Sequence, residues 1–110
     1  MSEAFTSVKD VFDKMPGAFQ ANAAGGVNIV FQFNVEGPGG GDWYVTVKEG
    51  TCTVVSGVFA TPTCTLKLAD ADFLDLMSGK LSGMQAYMKG KLKVSGDLMK
   101  SQLLTKLFKL

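Results

Sequence analysis

From Val27 to Val35 the chain alternates: Val27, Ile29, Phe31, Phe33 and Val35 fall on one side, Asn28, Gln32 and Asn34 on the other, with Val30 the lone interruption. Successive side chains of an extended backbone point to opposite faces, so a period of two predicts a strand with a core side and a wet side. The pattern recurs downstream. After a turn at Gly37 to Gly41, Trp43, Val45 and Val47 continue an apolar face while Thr46 and Lys48 face out. Glu49-Gly50 is a two-residue hairpin signal, so Thr51 to Ser56 should pair antiparallel with the strand before it. Beyond a loop with Gly57 and Pro62, Cys64, Leu66 and Leu68 alternate with Thr63, Thr65 and Lys67, and Leu92 and Val94 mark a fifth strand. One apolar sheet face requires a cover.

Helical periodicity supplies it at both ends and in the middle. Phe5, Val8, Phe12, Met15 and Phe19 recur at steps of three and four, predicting a helix from near Ser2 that Pro16 breaks or kinks, before Gly25-Gly26 closes the region. Asp70 as N-cap, Asp72 in the first turn and Gly79 behind Leu76 and Met77 delimit a short helix. Ser82 and Gln85 form a capping box for a second one that Gly90 ends. Gly96-Asp97 opens a last helix, Asp97 to Leu110, whose Leu98, Met99, Leu103, Leu104, Leu107, Phe108 and Leu110 span too broad an arc for packing on one side. The sum is an α+β fold: a five-stranded, largely antiparallel sheet covered on one face by helices, with residues 1–110 as a single domain.

The chemistry available is narrow. The 110 residues contain no histidine, which removes the commonest general base and metal ligand and with it serine-histidine and cysteine-histidine catalysis. Cys52 and Cys64 each lie in a strand-like stretch rather than a Cys-x-x-Cys pair, and read as reduced core thiols, not as a disulfide or metal site. Asp70, Asp72 and Asp75 cluster without a nucleophile beside them and read as capping and solvated carboxylates. Gly37-Pro38-Gly39-Gly40-Gly41 lacks the Gly-Lys-Ser/Thr ending of a phosphate loop and precedes a strand, so it reads as a turn. No catalytic residue, metal or cofactor is expected. A net charge of +1 gives no basis for nucleic-acid binding. Lys89, Lys91 and Lys93 share a side near the fifth strand and, with Lys100, Lys106 and Lys109, read as surface lysines or as a basic rim for anionic headgroups. No apolar run approaches 18 residues and Met1 to Gln20 is not patterned as a secretory leader, so neither a membrane span nor a signal peptide is expected.

Several segments, taken in order, resemble the sterol carrier protein 2 family of non-specific lipid-transfer proteins. These are Gly37-Pro38-Gly39-Gly40 followed by Trp43-Tyr44-Val45, then Cys64-Thr65-Leu66, Asp70-Ala71-Asp72-Phe73-Leu74 and Met77-Ser78-Gly79-Lys80-Leu81. Ala86-Tyr87, Gly90-Lys91-Leu92-Lys93-Val94-Ser95-Gly96-Asp97 and Ser101-Gln102-Leu103-Leu104 complete the series. The resemblance covers nearly the whole chain. It implies a domain enclosing an apolar tunnel that holds fatty acids, fatty acyl-CoA, sterols or similar lipids. Met84 stands where animal members often carry glutamine, which removes a polar contact from such a tunnel.

On that footing the expected function is a non-catalytic intracellular carrier that shuttles lipid between membranes or to enzymes. The expected lining is Phe12, Met15, Phe33, Trp43, Leu66, Phe73, Met77, Met84, Met88, Met99, Leu103 and Leu107, with the Asp97 to Leu110 helix as a movable wall. The expected partners are the lipid ligand and, transiently, a membrane surface, with the protein itself a monomer. The competing expectation is a protein-interaction or scaffold domain that offers its apolar C-terminal helix to a partner or a second copy. A cytoplasmic location is expected, with peroxisomes the alternative: the chain ends Phe108-Lys109-Leu110, where eukaryotic members often carry Ser-Lys-Leu.

Overall fold

The computed structural model describes residues 7–23 and 25–108. Strands β1 (Ile29–Glu36), β2 (Gly41–Lys48), β3 (Thr51–Ser56), β4 (Cys64–Ala69) and β5 (Leu92–Gly96) form one sheet in the order β3-β2-β1-β4-β5. Three of its pairings are antiparallel, and β1 with β4 is parallel. The parallel pair arises because the chain leaves edge strand β3 and returns on the far side of β1, which no tight hairpin can do.

Register lines the inward residues up in rows. Trp43, Phe33, Leu66 and Val94 form one such row from β2 to β5, and Val54, Val45, Phe31 and Cys64 form another from β3 to β4. The hairpin joining β2 and β3 turns through Glu49 and Gly50, whose φ angles of 54° and 73° are the left-handed pair that matches strand twist.

Helices α1 (Val8–Ala18), α2 (Asp70–Met77), α3 (Gly83–Met88), α4 (Leu98–Ser101) and α5 (Leu104–Leu107) cover that apolar face. Four of these differ from the sequence expectation. The first helix begins at Val8 rather than near Ser2, because Ser7 is extended and its hydroxyl accepts from the Asp10 amide at 3.1 Å; Phe5 lies outside the described residues. Pro16 sits in the last turn, and the helix ends two residues later, where the Phe19 amide donates to the Pro16 carbonyl. Asp70 is the first residue of α2 rather than its N-cap, which is Ala69. Its carboxylate accepts instead from Gly39 N at 3.0 Å and Ala71 N at 2.8 Å, tying the β1–β2 turn to α2. Gly37, at φ 108°, has no room for a Cβ beside that carboxylate.

The last helix is the largest difference. Asp97 caps it as expected, accepting from Lys100 N at 3.0 Å. The helix then tightens, with Gln102 N and Leu103 N donating to the carbonyls three residues back, so α4 and α5 are separate short helices. Phe108 is extended and bridges to Phe19, and the two rings stand 5.6 Å apart.

Beneath α1 and α2 the core is solid. Phe12 stacks on Trp43 at 4.8 Å and on Phe73 at 5.2 Å, and meets the edge of Phe33 at 5.4 Å.

The outer sheet face corrects another expectation. Gln32 belongs to the side assigned to water, yet it is 2% exposed. Its amide nitrogen donates to the carbonyls of Trp43 and Gly57, both at 3.1 Å, and its oxygen accepts from Phe59 N at 2.7 Å. The segment after β3 folds back over this face, where Phe59 packs on Tyr44 at 5.2 Å. Gln32→Leu should strand the Phe59 amide and cost at least about 2 kcal/mol, read as a lower urea midpoint.

Candidate functional site: an apolar cavity between the sheet and the short helices

The sheet floor continues past the aromatic cluster under α3, α4 and α5, where the helices are too short to fill the space above it. A cavity of about 890 Å³ lies there. Leu66, Leu92 and Val94 form its floor, the α2–α3 region one wall through Leu76, Met77, Leu81, Met84 and Tyr87, and Leu98, Leu104 and Phe108 the other. Gly79, at φ 82°, ends α2 and Ser82 restarts the chain as the N-cap of α3, accepting from Gln85 N at 3.0 Å. These two caps bend the wall around the hollow.

The lining residues with a polar side-chain group are Ser78, Ser82, Tyr87, Ser101 and Gln102, and no lining residue carries a charge. The Ser101 hydroxyl donates to the Leu98 carbonyl at 2.6 Å, which spends its proton inside its own helix. Such a surface accepts hydrocarbon and offers a few neutral hydroxyl or amide contacts.

Of the twelve residues expected to line a tunnel, the structure brings Leu66, Met77 and Met84 to the cavity. Phe12, Phe33, Trp43 and Phe73 form the solid cluster instead, and Met15 and Leu107 are buried in the core without lining the hollow. Leu103 packs half-buried against the core. Met88 and Met99 point to solvent, 77% and 78% exposed. For the seven that face inward the reason is common: periodicity identifies inward faces, but whether the space they face is filled depends on packing between distant elements. Leu76 was legible at the end of the first short middle helix, and Leu92 and Val94 as the residues that mark the fifth strand. The C-terminal wall carried one signal, the excessive apolar arc.

The remaining chemistry-bearing side chains stand apart from the cavity. Among the described residues, no three or more His, Cys, Asp or Glu side chains gather as a metal site. Asp72 lies 4.0 Å from the Lys91 ammonium. Cys52 and Cys64 are free thiols. Burial pushes the thiol of Cys52 up to about 11, and burial followed by the negative charge of Asp97 pushes Cys64 up to about 11, from an ordinary 9.0. Near pH 8 each should carry roughly 100-fold less thiolate than an ordinary thiol. Iodoacetamide labelling of the native protein should therefore be slow and should accelerate on unfolding. The sign for stability follows. Below the unfolded value both states keep their protons; above 9.0 the unfolded chain ionises first, so stability should fall as pH rises from 9.0 to about 11.

The comparisons with known proteins agree with this architecture. The profile of the SCP-2 sterol transfer family matches residues 12–109. Sterol carrier protein 2 of Homo sapiens is 42% identical over 72 residues, which cover 63% of this chain and 13% of that protein, so the chain corresponds to a small part of that relative's length. Among solved structures, sterol carrier protein 2 from Yarrowia lipolytica in its apo form superimposes with a TM-score of 0.73 at 28% identity, covering 96% of this chain and 91% of that one. The palmitated SCP2L2 from Aedes aegypti superimposes with a TM-score of 0.70 at 30% identity, covering 92% of this chain and 93% of that one. With a matching profile over nearly the full chain and the same fold around the same sheet, this protein belongs to the SCP-2 sterol transfer family.

Proposed function

We infer that this protein is a non-catalytic carrier that takes a fatty acyl chain or a similar lipid into the cavity above β4 and β5 and delivers it to membranes or to enzymes. The observation that carries this reading is a hollow of about 890 Å³ with an uncharged lining in a chain of only 110 residues. Kept closed and dry, such a space would cost about 21 kcal/mol at roughly 24 cal/mol per Å³, more than the whole stability of about 5–15 kcal/mol expected of a domain. The space opens to solvent beside Met84, Tyr87 and Leu98, so water can enter it, and an acyl chain would displace that water from an apolar lining. The Aedes aegypti SCP2L2 of similar fold is palmitated, which supports an acyl chain as the occupant.

The energetics suit exchange. Removing a sixteen-carbon chain from water is worth about 12 kcal/mol at roughly 0.8 kcal/mol per methylene, but relative to a bilayer the gain nearly vanishes because both environments are apolar. Loading and release then run in either direction. Native mass spectrometry of the purified protein after incubation with palmitate should show a one-to-one adduct. A spectrum containing only the bare polypeptide, from protein shown to be folded, would overturn the reading.

A further inference from the structure

Among the described residues, the exposed large apolar side chains are Val58 and five others, Met84, Tyr87, Met88, Leu98 and Met99, and all five belong to α3 and α4. Met84, Tyr87 and Leu98 also line the cavity, so the apolar surface runs from its interior onto the outside of both helices.

Charge is segregated in the same sense. From Leu76 to Phe108, the segment that supplies every lining residue except Leu66, the chain carries Lys80, Lys89, Lys91, Lys93, Lys100 and Lys106 against a single acid, Asp97, for a net +5. The rest of the chain carries five lysines and nine acids, a net −4. All six lysines of the cavity segment are exposed. Of these six, Lys91 lies 4.0 Å from Asp72, and Lys93, between the cavity residues Leu92 and Val94 on β5, points to the other face of the sheet, which leaves Lys80, Lys89, Lys100 and Lys106 as the exposed cations of the helical side.

Helix α1 has neither property. Its apolar side is buried, and its outer lysines are matched by Lys9–Asp13 at 2.9 Å and Lys14–Asp10 at 3.3 Å.

We propose that α3 and α4 form the face by which this protein docks on anionic membranes, with Met88 and Met99 entering the acyl boundary and the surrounding lysines meeting acidic headgroups. Unbranched exposed apolar side chains among lysines fit a membrane interface, whereas lysine is depleted in protein–protein interfaces. The arrangement would seat the cavity against the bilayer, so a lipid could pass without crossing water; in that role the proposal rests on the carrier reading.

The test is co-sedimentation with vesicles of phosphatidylcholine alone and of phosphatidylcholine mixed with phosphatidylserine, paired with binding of a fluorescent acyl probe in the absence of vesicles. Wild type should prefer the mixed vesicles and lose that preference as salt rises. The double variant Met88→Gln, Met99→Gln and the double variant Lys89→Glu, Lys100→Glu should each bind mixed vesicles at least about ten-fold more weakly. Both should keep acyl-probe affinity, because none of these four residues lines the cavity. Val58→Gln and Lys9→Glu should bind vesicles like wild type. Equal binding to neutral and mixed vesicles, or unchanged binding by both double variants, would overturn the docking face. So would size-exclusion showing a concentration-dependent dimer of wild type that Met88→Gln, Met99→Gln abolishes, since a second copy would then own the surface. A wild type that docks as described but binds no acyl probe would refute the carrier reading and leave the docking face standing.

Discussion

Replacing Phe12 by alanine is expected to destabilise the fold by about 3–5 kcal/mol, which approaches the entire stability of a typical domain. Phe12 is 1% exposed and its ring contacts Phe33, Trp43 and Phe73, so truncation opens a void that α1, α2 and the sheet must all move to close. Part of the loss is the transfer of the ring itself, and part is the aromatic geometry, where stacked and edge-on pairs add about 0.5–1.5 kcal/mol beyond area. Urea unfolding followed by circular dichroism measures it. Acyl affinity per folded molecule should stay within about two-fold of wild type, because the cluster and the cavity are separate parts of the interior. The same truncation at Met88, 77% exposed, should change stability by less than about 0.5 kcal/mol.

Enlarging Val94 to tryptophan should have the opposite profile, with acyl binding weakened at least about ten-fold and stability held or raised. Val94 lies on β5 beside Leu66 and faces the hollow. An indole placed there fills space that the lipid would occupy. Loss of room for even two methylenes is worth about 1.6 kcal/mol, roughly fifteen-fold in affinity, and an indole displaces more than that. Enlarging Val45, which has 0% exposure in the filled part of the sheet, should instead cost about 1–3 kcal/mol or more through overpacking. Comparing the two positions by probe titration and by urea midpoint separates hollow from solid interior.

This division was only partly legible in the sequence. Local rules placed the β2–β3 turn at Glu49-Gly50, the caps at Ser82 and Asp97, and the ends of α2 and α3 at Gly79 and Gly90, because each depends on a few neighbouring residues. The inward faces of the strands followed from period two. Gln32 escaped because its partners, Trp43, Gly57 and Phe59, arrive from 11 to 27 residues away. Phe12, Phe33 and Phe73 lie away from the cavity for a related reason: inward-facing aromatics fill space as readily as they border it, and only assembly decides which. Met88 and Met99 depart from the expectation in the other direction. A helix as short as α3 buries a narrow strip, here Ala86, and leaves the rest outside. The continuous C-terminal helix was a misreading of composition, since the apolar residues between 97 and 108 serve two short helices and an extended Phe108 that meet different neighbours, and Leu110 lies outside the described residues.

The central claim is that the hollow above β4 and β5 holds the hydrocarbon of a lipid. Its most direct test is titration of a fluorescent fatty acyl analogue into the folded protein, followed by palmitate as competitor, with wild type and Val94→Trp side by side. The account predicts saturation at one probe per wild-type chain, full displacement by palmitate, and weak binding by the variant. Wild-type protein that is folded yet binds no displaceable probe, or a Val94→Trp protein that binds it as tightly as wild type, would contradict it.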